Sequence, residues 1–186
     1  MGSEVLLLFL TGRPAWRAAW QTAEVTTPPS PGPVDLGTWS GPMAMALRQA
    51  AEAALVGDVP VGAVVTDGDG QIIGMGMNQR VANNDPLAHA EIEALRSAAE
   101  NRGSWRLDDA TLVVTLEPCP MCAGAALQAR IRRIVFGTPD PKAGACGSLY
   151  NLAADPRLPY PEIEVVGGVD AKRSAELLGS FFETRR

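Results

Sequence analysis

Two short stretches place chemically able side chains at informative intervals: His89-Ala90-Glu91 and Pro118-Cys119-Pro120-Met121-Cys122. Imidazole and thiolate are zinc ligands, and a carboxylate beside them can carry protons. A Cys-x-x-Cys pair alone is ambiguous, because thioredoxin-like redox sites and structural zinc knuckles use the same spacing. His89 is the only histidine, and Cys146 has no second cysteine near it in sequence. No Cys2His2 or His-rich site can therefore be built from this chain. A set of His89, Cys119 and Cys122 leaves one of zinc's four positions open, which marks a catalytic rather than a structural ion. Glu91 alone would read as a solvated helix acid; beside this set it reads as the general acid and base. Cys146 reads as a passive thiol.

These residues need elements to bring them together. Asp85-Pro86 predicts a helix start, with Ile92, Leu95 and Ala99 continuing one face. Residues two apart on a helix point to nearly opposite sides, so His89 and Glu91 can share a pocket only at the helix tip. Ala110–Leu116 predicts a buried strand, Pro120–Arg130 a helix and Arg133–Gly137 a second strand. That order is a parallel crossover unit. It places Cys119 and Cys122 at a strand-to-helix junction, where unpaired amides favour thiolate. Upstream, Ser40 and Pro42 open an amphipathic helix ending at Gly57, and Val61–Thr66 and Gln71–Met77 flank Asp67-Gly68-Asp69-Gly70 as a hairpin. Glu162–Val166 predicts a fifth strand and Ala171–Glu183 a closing helix. The fold class is α/β.

The 186 residues are 46% hydrophobic, enough for one domain with a substantial core. Residues 1–40 lack periodicity and contain Thr26-Thr27-Pro28-Pro29-Ser30-Pro31-Gly32-Pro33, so they are expected to form a disordered extension, with the catalytic domain over 41–186. The net charge of −5 excludes a molecule-wide basic field, so a polyanion must meet a local patch. Candidates for it include Arg80, Arg130, Arg132, Arg133, Lys142, Arg157, Lys172 and Arg173. The apolar run Val5–Leu10 is too short for a membrane span and follows Glu4, so neither insertion nor export is expected. The cysteine pattern suits the cytoplasm.

Asp85-Pro86-Leu87-Ala88-His89-Ala90-Glu91 and Thr115-Leu116-Glu117-Pro118-Cys119-Pro120-Met121-Cys122 closely resemble the bacterial tRNA-specific adenosine deaminases, of the cytidine and deoxycytidylate deaminase superfamily. The signature is recognised rather than deduced from spacing. The resemblance runs from about Met43 to Arg186, supported by Val59-Pro60-Val61-Gly62-Ala63-Val64 and Ile134-Val135-Phe136-Gly137. It implies a three-layer α/β/α cytidine-deaminase-like fold with a central five-stranded mixed sheet. It also implies a homodimer with one zinc ion per subunit, and hydrolysis of adenosine to inosine at the wobble position of an arginine tRNA anticodon.

By the same resemblance Asn78 would hydrogen-bond the base and Asp140 would contact the sugar-phosphate region. Val59 and Leu116 would be pocket walls, and Phe181, Phe182, Arg185 and Arg186 would end a tRNA-binding helix. Gln79-Arg80 replaces the family's common Arg-Pro, Pro139 precedes Asp140, and the basic tail beyond Arg186 is absent. A deaminase of a free base or nucleotide, such as guanine or cytosine, would use the same zinc set without a basic surface. A non-catalytic zinc or redox module would not need Glu91.

Overall fold

The computed structural model describes residues 36–183. Residues 1–35, most of the expected extension, and Arg185 and Arg186 lie outside the described residues.

Continuous apolar runs, buried on both faces in the central strands, produce a five-stranded sheet. Its strands are β1 (Gly62–Thr66), β2 (Ile72–Met77), β3 (Thr111–Leu116), β4 (Arg133–Thr138) and β5 (Glu164–Gly167), in the order β2-β1-β3-β4-β5. β1 is antiparallel to β2 and β3, whereas β3, β4 and β5 are parallel, so the sheet is mixed. Successive side chains alternate faces, and the register aligns them into rows. Val64, Val113, Val135 and Val166 stand opposite one another across four strands. They pack with Met43, Ala46 and Leu47 of α1 (Ser40–Leu55). Val65, Leu112 and Ile134 form a row on the other face, packed with α2 (Ala90–Arg102) and α3 (Pro120–Gln128). α4 (Ala171–Glu183) lies on the α1 face, where Ser174 covers Gly137. The result is the expected three-layer α/β/α arrangement.

Small residues set the layer spacing. A Cβ on Gly74 would lie 2.5 Å from Ala94 O, and one on Gly76 would lie 2.4 Å from Ala90 O. Only a hydrogen there lets α2, with Ala90, Ala94 and Ala98 buried beneath it, sit this close to β2.

Two expectations change. The second helix begins at Ala90, not at Asp85-Pro86. Asp85 Oδ1 accepts from Leu87 N at 2.8 Å, a local turn, and Gln79 N closes the whole connection by donating to Ala88 O at 2.9 Å. Ordered structure also reaches back past residue 40. Leu36–Trp39 form a 3-10 turn, Trp39 packs against the α1 core, and the Arg133 guanidinium lies over its ring at 5.2 Å.

Candidate active site and metal centre

The side chains with chemical potential meet where two helices start. His89 is the N-cap of α2 and Cys119 the N-cap of α3, both with extended backbone (ψ 149° and 171°). Their carbonyls accept the first helical hydrogen bonds, from Glu93 N and Ala123 N. Neither side chain makes a capping bond, so both are free to point into the space between the helices. The extended conformation of His89 also answers the spacing problem: His89 stands outside the helix while Glu91 is in its first turn, and the two share one pocket.

His89 Nδ1 lies 3.7 Å from Cys119 Sγ and 3.5 Å from Cys122 Sγ. The three ligand atoms all fall within 4.8 Å of one another. Zinc bond lengths of about 2.3 Å to sulfur and 2.0–2.1 Å to nitrogen in a tetrahedron give N···S edges of about 3.6 Å. The donor set therefore fits a zinc ion without rearrangement. Three donors leave the fourth vertex to a small molecule.

The electrostatics agree with this reading. The Cys122 thiol hydrogen-bonds Cys119 and, with His89, holds it as thiolate, lowering its pKa to about 4. The same proton-sharing, with burial, pushes Cys122 far up. Two converging helix N-termini add positive potential at the sulfurs. His89 is raised by its hydrogen bond with Cys119, burial opposing. Glu91 is buried, and desolvation raises its carboxyl to about 7. A carboxyl poised near neutrality can both accept and return a proton. Burial keeps the Cys146 thiol protonated, which fits a passive role.

Around this centre, Asn78 is buried at the end of β2, one residue before the Gln79–Ala88 hydrogen bond that leads to His89. Val59 and Leu116 are half-buried. Asp140 follows β4, and its Oδ1 accepts from Lys142 N and Ala143 N, so part of this side chain serves its own loop. Phe181 is buried on α4 and meets the half-exposed Phe182 edge-on at 5.4 Å, in the layer across the sheet from α2 and α3. Four of the expected basic residues are paired with acids: Arg133 with Glu164, Arg157 with Asp155, Lys172 with Glu176 and Arg173 with Asp170. Arg80 and Lys142 are exposed, and Arg80 is near enough to His89 to oppose its protonation.

Two buried carboxylates had no assigned role in the sequence. Glu117 accepts from Asp140 N, Cys146 N and Ser148 N, each at 3.0 Å, and from Ser148 Oγ. It ties the connection after β4 to the residue two places before Cys119. Asp58 does the equivalent for the connection after β2. Both sit next to glycine or proline at a strand or helix end, which is the only sequence signal they carry.

The MafB19-like deaminase family model matches residues 38–186. The tRNA-specific adenosine deaminase of Haemophilus influenzae is 47% identical over 144 residues, 77% of this chain and 83% of that protein. The tRNA(Ile)-lysidine synthase of Deinococcus radiodurans is 51% identical over 145 residues, but the match spans only 25% of that longer protein. A solved structure from work on A-to-I editing by tRNA:A34 deaminases at the wobble position of transfer RNA is 42% identical. It has a TM-score of 0.71 and covers 74% of this chain and 99% of its own.

Proposed function

The chain belongs to the tRNA-specific adenosine deaminase family, with the MafB19-like deaminase domain over residues 38–186, and we propose on that premise that it hydrolyses the wobble adenosine of a tRNA anticodon to inosine. The observation that carries the reading is the His89–Cys119–Cys122 triangle with buried Glu91 beside it. His89 Nδ1, Cys119 Sγ and Cys122 Sγ would hold one zinc ion per subunit, which would supply Lewis-acid activation of water.

The chain's own groups do the rest. Glu91 takes a proton from the attacking water and delivers it to N1 of the base, then takes the second proton from the hydroxyl left at C6 and delivers it to the amine, which leaves as ammonia as the C6 carbonyl forms. Water and adenosine enter; ammonia and inosine leave. Asn78 holds the flipped-out nucleotide, Val59 and Leu116 wall it, and Asp140 reaches its sugar-phosphate region. Stacking inside a duplex would hide C6, so the substrate is an unstacked loop base. Arg80 and Lys142 at the rim, with Phe182, Arg185 and Arg186, meet the RNA, and Phe181, buried on α4, backs Phe182 edge-on. The tRNA is that for arginine.

The protein works as a homodimer in the cytoplasm. On α3, Ala123 and Ala126 serve the subunit's own core and Ala125 packs against it, leaving half-buried Gly124, where a Cβ would meet nothing within 4 Å, to face a partner. Among the described residues no helix is long and apolar enough to cross a membrane.

Competition between an arginine anticodon stem-loop and free guanine, cytosine and adenosine tests the reading. Turnover is expected on the stem-loop alone. Preferential deamination of a free base would replace it with the free-base alternative.

A further inference from the structure

Asp58 is 1% exposed and lies in the α1–β1 connection, three residues after α1 ends at Leu55. Its Oδ1 accepts from Asn78 Nδ2 at 3.2 Å, and its Oδ2 accepts from Val81 N and Ala82 N, both at 3.0 Å. Asn78 Nδ2 has a second acceptor, Val59 O, at 3.2 Å. A carboxylate and a carbonyl can only accept, so the group of Asn78 that faces them must be its NH2. Turning the amide over would set oxygen against two acceptors in a buried place, leaving all of them unsatisfied. Both Asn78 hydrogens are thereby committed to the protein. Its Oδ1 has no protein donor among the described residues.

We propose that Asp58 is a positioning residue that locks the Asn78 amide in one orientation, presenting Oδ1 as an acceptor for an N–H or O–H donor of the bound nucleotide. The inference rests on the deaminase reading and on the assignment of Asn78 to the substrate. The same carboxylate fixes the Val81 and Ala82 amides, which begin the connection leading to His89. One buried charge thus sets both the direction of the recognition group and the course of the chain beside it.

The test is a double-mutant cycle on an anticodon stem-loop with adenosine at the wobble position, comparing wild type, Asp58→Asn, Asn78→Ala and the double variant. Zinc content and thermal melting are measured on each sample. Asp58→Asn is expected to lower kcat/KM about 10- to 100-fold with zinc retained. In the Asn78→Ala background the same substitution should change kcat/KM by less than about two-fold, because an asparagine at position 58 keeps an oxygen for Val81 N and Ala82 N and alters only the contact with Asn78. Asp58→Glu, which keeps the acceptor, should recover most of the activity and covers the case in which Asp58→Asn folds poorly. Losses that multiply in the double variant, or a wild-type kcat/KM for Asp58→Asn, would overturn the proposal. Wild-type turnover on the same stem-loop judges the deaminase reading separately, since the Asp58 claim depends only on ratios among variants.

Discussion

Replacing Gly76 by alanine should damage catalysis through a residue that touches no reacting group. Gly76 pairs with Ala63 in the sheet, and its missing Cβ position lies 2.4 Å from Ala90 O, 2.5 Å from Ala94 N and 2.7 Å from Glu93 Cβ. Two of these atoms are helix backbone, which cannot swing aside. To restore contact distances of about 3.4 Å, the first turn of α2 must withdraw by about 1 Å, and displacements of that size at a reacting group cost about 100-fold in rate. Glu91 is in that turn and His89 caps it, while Cys119 and Cys122 hang on α3 and stay put, so the four-residue geometry is pulled apart. Overpacking of this kind costs about 1–3 kcal/mol, a fall in Tm of roughly 3–10 °C. The assay is single-turnover inosine formation well below the Tm, with zinc content and a thermal melt. Gly41→Ala, where a Cβ would meet nothing within 4 Å, serves as the control. A wild-type rate and Tm for Gly76→Ala would refute the claim that α2 is held at a fixed distance by these glycines.

Asp109, lowered below its ordinary value by the Arg102 guanidinium, ties the β1–β2 turn to the end of α2 through Gly68 N. A depressed folded pKa gives stability that is present above about pH 4, the unfolded value, and is lost as pH falls through the lower folded value. Because Asp109 is half exposed, Asp109→Asn should cost only about 0.2–1 kcal/mol at pH 7, and denaturant titrations at pH 7 and pH 2.5 should show the difference vanish in acid. A larger deficit in acid would reverse the sign of this argument. Arg80→Ala with Lys142→Ala should weaken stem-loop binding and reduce the slope of log K against log salt by about 1–2. Parallel salt slopes would remove both residues from the RNA surface. Stripping the metal with a chelator should abolish turnover and lower the Tm, with both restored by zinc, because binding to the folded set is folding free energy. Full turnover in protein shown to be metal-free would remove zinc from the mechanism.

Much of this was readable from residue types because the chemistry is local. His89, Glu91, Cys119 and Cys122 are specified by short intervals, and the strand-to-helix junction that presents the cysteines follows from a buried apolar run ending in Pro118. Asp85-Pro86 carries the chemistry of a helix cap, yet Asp85 closes a local turn and α2 starts only at Ala90, because the cap's partner amides belong to that turn. Asp58 and Glu117 escaped notice for a different reason. Most of their partners are backbone amides, 23–24 and 23–31 residues away, and a backbone amide has no letter in the sequence. The spacing role of Gly74 and Gly76 was hidden likewise, since each acts by what it lacks against a helix that begins 13 or more residues later.

The proposed function requires Glu91 to move protons at a zinc site built from His89, Cys119 and Cys122. The most direct measurement is inosine and ammonia formed on a short arginine anticodon hairpin by wild type and Glu91→Gln, with zinc content determined on the same samples. Wild type should release one ammonia per inosine with about one zinc per chain. Glu91→Gln should keep its zinc and lose about 100- to 10,000-fold in rate. A Glu91→Gln protein with a full complement of zinc and a wild-type rate would contradict the account.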